Sequence, residues 1–284
     1  IRRRSGMRNH AHLLHEHQQN MHMINEEVAH CRSLLENVFS PEVLRQLRGN
    51  FPGLHRMQKR LAQEFTECTF LFCKVVGLRS LTDDETQDGA KVVEVLQCIF
   101  NIFDELVDMY KVQKVRKTVN EYYMVAAGLP DQFLLEDEEA RAVATAALAL
   151  SMVNVMAVTN AELYDLDLQL DAQIGIHSGT AIAGIIGHKR FQYDLCGDAV
   201  NTAARMCSYS SRGCVCVSAK TYELLKDRFA FFDRGEFEVK GKGLMRLYYL
   251  LGRHNEAIRL LREDDGVSTQ TEKDREARLL EKRR

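Results

Sequence analysis

The chain has 284 residues, 45% hydrophobic and 27% charged, enough to bury a core of ordinary size in one or two domains. Its 38 Lys and Arg nearly balance 40 Asp and Glu, and a net charge of -2 excludes a global attraction to nucleic acid or an anionic membrane; any phosphate binding must be local. Eight cysteines, at 31, 68, 73, 98, 196, 207, 214 and 216, form no CxxC pair and fall mostly within apolar runs, the pattern of reduced core thiols in a cytosolic protein rather than of a disulfide or metal frame.

No apolar run approaches the roughly 20 residues needed to span a bilayer, and no signal-peptide pattern is present. The opening Arg2, Arg3 and Arg4 read equally as the cytoplasmic flank of a membrane helix in a longer protein and as a solvated helix start. Residues 1–62 are expected to be a helical connector or dimerising stalk. Leu34, Leu35, Val38, Phe39, Val43, Leu44 and Leu47 recur at helical spacing, and Ser40-Pro41-Glu42 marks a break and restart. The histidines at 10, 12, 15, 17 and 22 lack a shared helix face and a Cys or carboxylate frame, so they predict a solvated face rather than a metal site.

From Glu67 the texture changes. Thr69 to Val76 reads as a buried strand ending at Gly77, followed by a helix over about 86–110 with an apolar stripe that includes Val92, Leu96, Ile99 and Phe103. Val112 to Val119 and Tyr122 to Ala127 predict two strands meeting at an Asn120-Glu121 turn, then a helix over about 138–159. Further strands are expected at 168–177, 181–186 and 192–195, a helix at 198–208 with Asp198 as its N-cap, and an α+β stretch ending near Leu251. The order strand, helix, hairpin, helix, strand predicts an α+β, ferredoxin-like βαββαβ domain over 63–252 with helices on one face. Residues 253–284 are heavily charged and read as a tail or linker.

Four motifs carry a resemblance. Ile174-Gly-Ile-His-Ser-Gly179, Gly184-Ile-Ile-Gly187 and Tyr193-Asp-Leu-Cys-Gly-Asp-Ala-Val-Asn-Thr-Ala-Ala-Arg-Met206 closely resemble the signature region of class III adenylyl and guanylyl cyclases. Phe72-Cys-Lys-Val-Val-Gly-Leu78 is similar to that family's first metal strand, Lys117-Thr-Val-Asn-Glu-Tyr-Tyr-Met124 to its second metal hairpin, and Val239-Lys-Gly-Lys-Gly243 to its phosphate-binding segment. The resemblance implies a dimer of two such domains that converts a nucleoside triphosphate to a cyclic nucleotide and pyrophosphate, using two Mg²⁺ or Mn²⁺ ions held by two carboxylates.

Carried over position by position, the resemblance splits the site. The two metal carboxylate positions are filled by Lys74, whose ammonium cannot ligate a cation, and by Glu121 after Asn120. If the family's hairpin geometry holds, the two side chains form a salt bridge. Lys117 and Asp194 match the Lys and Asp that resemble the adenine readers of adenylyl cyclases, where guanylyl cyclases usually place Glu and Cys or another small residue. By the same resemblance Asn201 orients the ribose, Arg205 stabilises the charged phosphate and Lys240 holds the triphosphate; Gly184 and Gly187 permit close packing at a dimer seam. The expected molecule is the metal-lacking half of a heterodimeric adenylyl cyclase, inactive as a homodimer. A second cyclase domain, in the same or another chain, supplies both aspartates and the metals. Two alternatives stay open: a guanylyl cyclase half acting on GTP, with Arg116 and Cys196 adjoining the assigned pair, and a pseudocyclase that only transmits a signal or dimerises.

Overall fold

The structure, a computed structural model, describes residues 18–33, 35, 44, 62–78, 89–115, 121–129, 135–162, 169–186 and 192–254. The expected break at Ser40-Pro41, the Lys117 and Asn120 side of the hairpin, Gly187 and the charged tail lie outside them. The chain divides into two compact units, Ile1–Lys59 and Arg60–Arg284.

In the first unit residues 18–33 form helix α1, and each of them is exposed. In the second, the elements in order are β1 (Ala62–Val76), α2 (Gly89–Met109), β2 (Gln113–Val115), β3 (Tyr122–Ala127), α3 (Glu138–Glu162), β4 (Asp171–Ile186), β5 (Gln192–Cys196), α4 (Asp198–Ser208), β6 (Val215–Ser218), α5 (Ala219–Leu225), β7 (Phe229–Val239) and β8 (Gly243–Arg253). The eight strands join in one sheet of order β2-β3-β1-β4-β6-β8-β7, with β5 paired to β4. The first four strands are antiparallel neighbours in the order β2-β3-β1-β4, the ferredoxin-like arrangement expected.

Side-chain alternation along β1 explains the layering. Leu71, Cys73 and Val75 face a core shared with Ile99 and Phe103 of α2 and with Ala142, Ala146 and Met152 of α3. Cys68, Phe70 and Phe72 face the opposite side, packed with Ala199, Val200 and Ala203 of α4. Two long helices therefore cover one face, as expected, while α4 covers the other. Each large apolar side chain so buried contributes about 1.5–3 kcal/mol.

Several elements differ from expectation. β1 begins at Ala62 rather than near Thr69, because a bulge between Phe65 and Cys68, with Glu67 at φ 58°, lets a polar segment continue the ladder. Arg141, 5% exposed, braces that bulge by donating to the Glu67 carbonyl at 3.2 Å. The two strands expected at 168–177 and 181–186 are one 16-residue strand running through Gly179. The α3 helix is also long and apolar enough over Glu138–Asn160 to cross a membrane, although no such run was expected; half of that stretch is buried in the fold, as in the core helix of a globular unit.

The cysteines divide as well. Cys68, Cys73, Cys207, Cys214 and Cys216 are buried free thiols, whereas Cys31, Cys98 and Cys196 are exposed. Burial pushes the Cys68 and Cys207 thiols up to about 12 and Cys216 to about 11, which keeps them protonated and inert.

Candidate functional site

The candidate site lies on the α4 face of the sheet. β4 and β5 form a hairpin in which Gly184 pairs with Asp194, and β5 runs through Cys196 and Gly197 directly into α4. Asp194 is half-buried, and its Oδ1 accepts the backbone N–H of Leu195 at 2.8 Å. Asn201 and Arg205 stand four residues apart and so share one side of α4, Asn201 exposed and Arg205 half-buried. The opposite side of the helix buries Ala199, Val200, Thr202, Ala203 and Met206, which fixes its rotation about its own axis. Gly175 fixes its height: a Cβ there would sit 1.8 Å from the Cys207 backbone nitrogen, so α4 rests directly on the β4 backbone.

Asp198 is not the N-cap. That position belongs to Gly197, with no side-chain cap, and Asp198 is the first helical residue. Its carboxylate instead pairs with Lys242. This contact joins the turn between β7 and β8 to the start of α4. The turn is tight: Gly241 sits at φ +75°, and the Lys242 N–H donates to the Val239 carbonyl at 2.8 Å. Lys240, on the same turn, is exposed. Asp194, Asn201, Arg205 and Lys240 are thus carried by one strand-turn-helix and the loop tied to its start. Lys117 lies outside the described residues. Lys242, two residues after Lys240, was set aside as a site residue on the sequence, and the structure gives it the contact with Asp198.

His177 was also passed over as a site element. Its Nδ1 lies 2.6 Å from the Ser218 hydroxyl, and a chain of hydroxyls continues through Thr221 and Ser178 to Thr69. Burial, together with the positive charges of Lys220 and Lys242 and against Asp198, lowers its pKa to about 4. The ring is therefore neutral near pH 7.

The metal positions show a different chemistry. β1 and β3 pair Lys74 with Tyr122, and the Val75 N–H donates to the Glu121 carbonyl at 2.9 Å. Lys74 Nζ lies 3.3 Å from Glu121 Oε1, with the two side chains 30% and 34% exposed, and 5.5 Å from the centre of the Tyr122 ring. The salt bridge expected from the hairpin is present. An ammonium satisfied by a carboxylate leaves one oxygen donor set where a divalent cation needs several. Among the described residues no group of three His, Cys, Asp or Glu could hold a metal ion. The donor set at these two described positions, one carboxylate already paired with an ammonium, does not fit Mg²⁺ or Mn²⁺.

Comparison with known proteins places this arrangement. The chain is 36% identical over 200 residues to a membrane guanylyl cyclase of Dictyostelium discoideum, covering 70% of this chain and 12% of that protein. It is 35% identical over 230 residues to an adenylate cyclase of Mycobacterium tuberculosis, covering 80% of this chain and 48% of that one. It thus spans less than half the length of either relative. Among solved structures, the adenylyl cyclase CyaB from P. aeruginosa superposes with a TM-score of 0.61 at 26% identity, covering 66% of this chain and 95% of that one. The model of the adenylate and guanylate cyclase catalytic domain matches residues 61–252. A sheet, hairpin and helix of this layout, matched over that span, make the chain a member of the adenylate and guanylate cyclase catalytic domain family.

Proposed function

We propose that this chain is the purine-reading, triphosphate-steadying half of an adenylyl cyclase, which forms cyclic AMP and pyrophosphate from ATP only with a partner cyclase domain that carries both metal aspartates. The observation that carries this reading is the contrast within one face. Lys74 and Glu121 neutralise each other at 3.3 Å where metal carboxylates belong, while Asn201 and Arg205 project from one side of a rigidly seated helix.

Each residue has a physical task. Lys117 and Asp194 offer a donor and an acceptor that complement the ring nitrogen and exocyclic amine of adenine. Asn201 orients the ribose so that its 3′-hydroxyl faces the α-phosphorus. Arg205 and Lys240 place fixed positive charge where negative charge builds on the phosphates, which lowers the barrier without reorganisation at the moment of reaction. Mg²⁺ or Mn²⁺, held mainly by the partner domain, would supply the Lewis-acid chemistry. The relation to a membrane guanylyl cyclase supports a cytosolic unit within a larger membrane protein.

Relatives on both the adenylate and guanylate sides leave a GTP-using half as the second reading. The pair Lys117→Glu with Asp194→Cys separates them. In the complemented enzyme it is expected to move preference from ATP to GTP by at least about tenfold, since unmatched buried hydrogen-bonding groups reject a substrate strongly. Unchanged ATP preference would remove these two residues from purine reading.

A further inference from the structure

The turn that carries Lys240 stands clear of the fold. A Cβ added at Gly241 or Gly243 would meet nothing within 4 Å, and both glycines take left-handed angles, φ +75° and +73°. Such a turn gains little rigidity from packing at its tip. It is fastened from outside at two points, one on each side of Lys240. At its base the Tyr209 hydroxyl donates to the Glu238 carbonyl at 2.7 Å. At its tip Lys242 pairs with Asp198. Lys240 is two residues from each tie, a chain reach of at most about 7 Å.

Both ties lead to α4. Asp198 is its first residue and Tyr209 its C-cap, whose N–H donates to the Arg205 carbonyl at 2.9 Å. Tyr209 is itself held from β7. Arg234 donates to its carbonyl, satisfying an acceptor that a helix end leaves open. The Tyr209 ring meets Phe237 edge-on, centres 6.1 Å apart, and the Arg234 guanidinium lies 4.6 Å from the Phe237 ring centre and 4.1 Å from that of Tyr249. Arg205 thus lies between the two ties on α4, and Lys240 between them on the β7–β8 turn.

We propose that Tyr209 and Asp198 are positioning residues for Lys240, fastening its turn to both ends of α4 so that Arg205 and Lys240 meet the triphosphate as one preset pair of cations. This deepens the proposed function and rests on it. Each residue acts through Lys240: an ammonium on a loose turn must be ordered at every binding event, and a preset one need not be.

Tyr209→Phe keeps the ring against Phe237 and removes only the hydroxyl, and Asp198→Asn removes the charge of the pair. Together they are expected to lower kcat/KM for ATP at least tenfold in the complemented enzyme. In the Lys240→Ala background the same two changes should lower it less than twofold, because no ammonium is left to position. An equal loss in both backgrounds, or no loss in the first, would overturn the inference. Hydrogen exchange of the full chain alone reads the fastening without chemistry. The Lys242 amide should exchange at least tenfold faster in the double variant while the amides of 202–207 keep their rates. Unchanged exchange at Lys242 would overturn the inference whatever the mixture produces. Silence of the unsubstituted mixture would instead sink the half-site reading, with the exchange still deciding the fastening.

Discussion

Two places on one sheet face carry different chemistry. At the β1 and β3 end, Lys74 and Glu121 form a closed, half-exposed ion pair beside Tyr122. At the β5 to α4 turn, Asp194, Asn201 and Arg205 stand on one strand-turn-helix, and the helix is held by Gly175 below and by the Asp198–Lys242 pair at its start. Both stretches are equally well built into the sheet. Under the proposed reading, a catalytic fold can lose one half of its chemistry without loosening the scaffold, because the two charges at the altered positions satisfy each other.

The largest expected effect breaks the intact side. Arg205→Ala should lower cyclic AMP output of the complemented enzyme by about 10²–10³-fold, the usual loss when a fixed charge opposite a developing anion is removed. Assay of the variant beside the same partner domain measures it, and output within tenfold of the parent would take Arg205 out of the chemistry.

A second prediction concerns the layer beneath that turn. His177 has its pKa lowered from 6.5 to about 4 in the folded chain. The unfolded chain therefore binds the proton more readily, so the stabilisation is complete above pH 6.5 and is lost as pH falls toward 4. The loss is on the order of 3 kcal/mol over that window. Denaturant unfolding at stepped pH should show this slope, and His177→Gln should flatten it. An unchanged slope in the variant would assign the acid sensitivity elsewhere.

The smallest effect is expected at the closed pair. Lys74→Ala removes a contact between partly exposed groups and should cost under about 1 kcal/mol of unfolding free energy. Complemented output should change by less than about twofold. A large loss of output would mean that Lys74 touches the substrate.

Much of this division was legible in the sequence because it rests on residue identity. The resemblance put a lysine, which cannot ligate a cation, at a carboxylate position, and the hairpin geometry it implies put Glu121 within reach of that lysine, as the 3.3 Å pair shows. What the sequence concealed was contact across distant segments. Gly179 reads as a strand break, yet its missing Cβ, which would sit 2.8 Å from the Ala199 Cβ, is what lets α4 lie against an unbroken β4. Asp198 has the chemistry of an N-cap, but its carboxylate is drawn to Lys242, 44 residues away. The β1 extension is polar and alternates poorly, and its pairing with Ala181 to Gly184 of β4 extends the strand.

The most direct test of the half-site reading is cyclic nucleotide production from ATP and from GTP, with Mg²⁺ or Mn²⁺, by this chain alone and mixed with a cyclase domain that carries both metal aspartates. Output confined to the mixture, with ATP preferred, is the expected result. Output from the chain alone, or silence in the mixture, would contradict it.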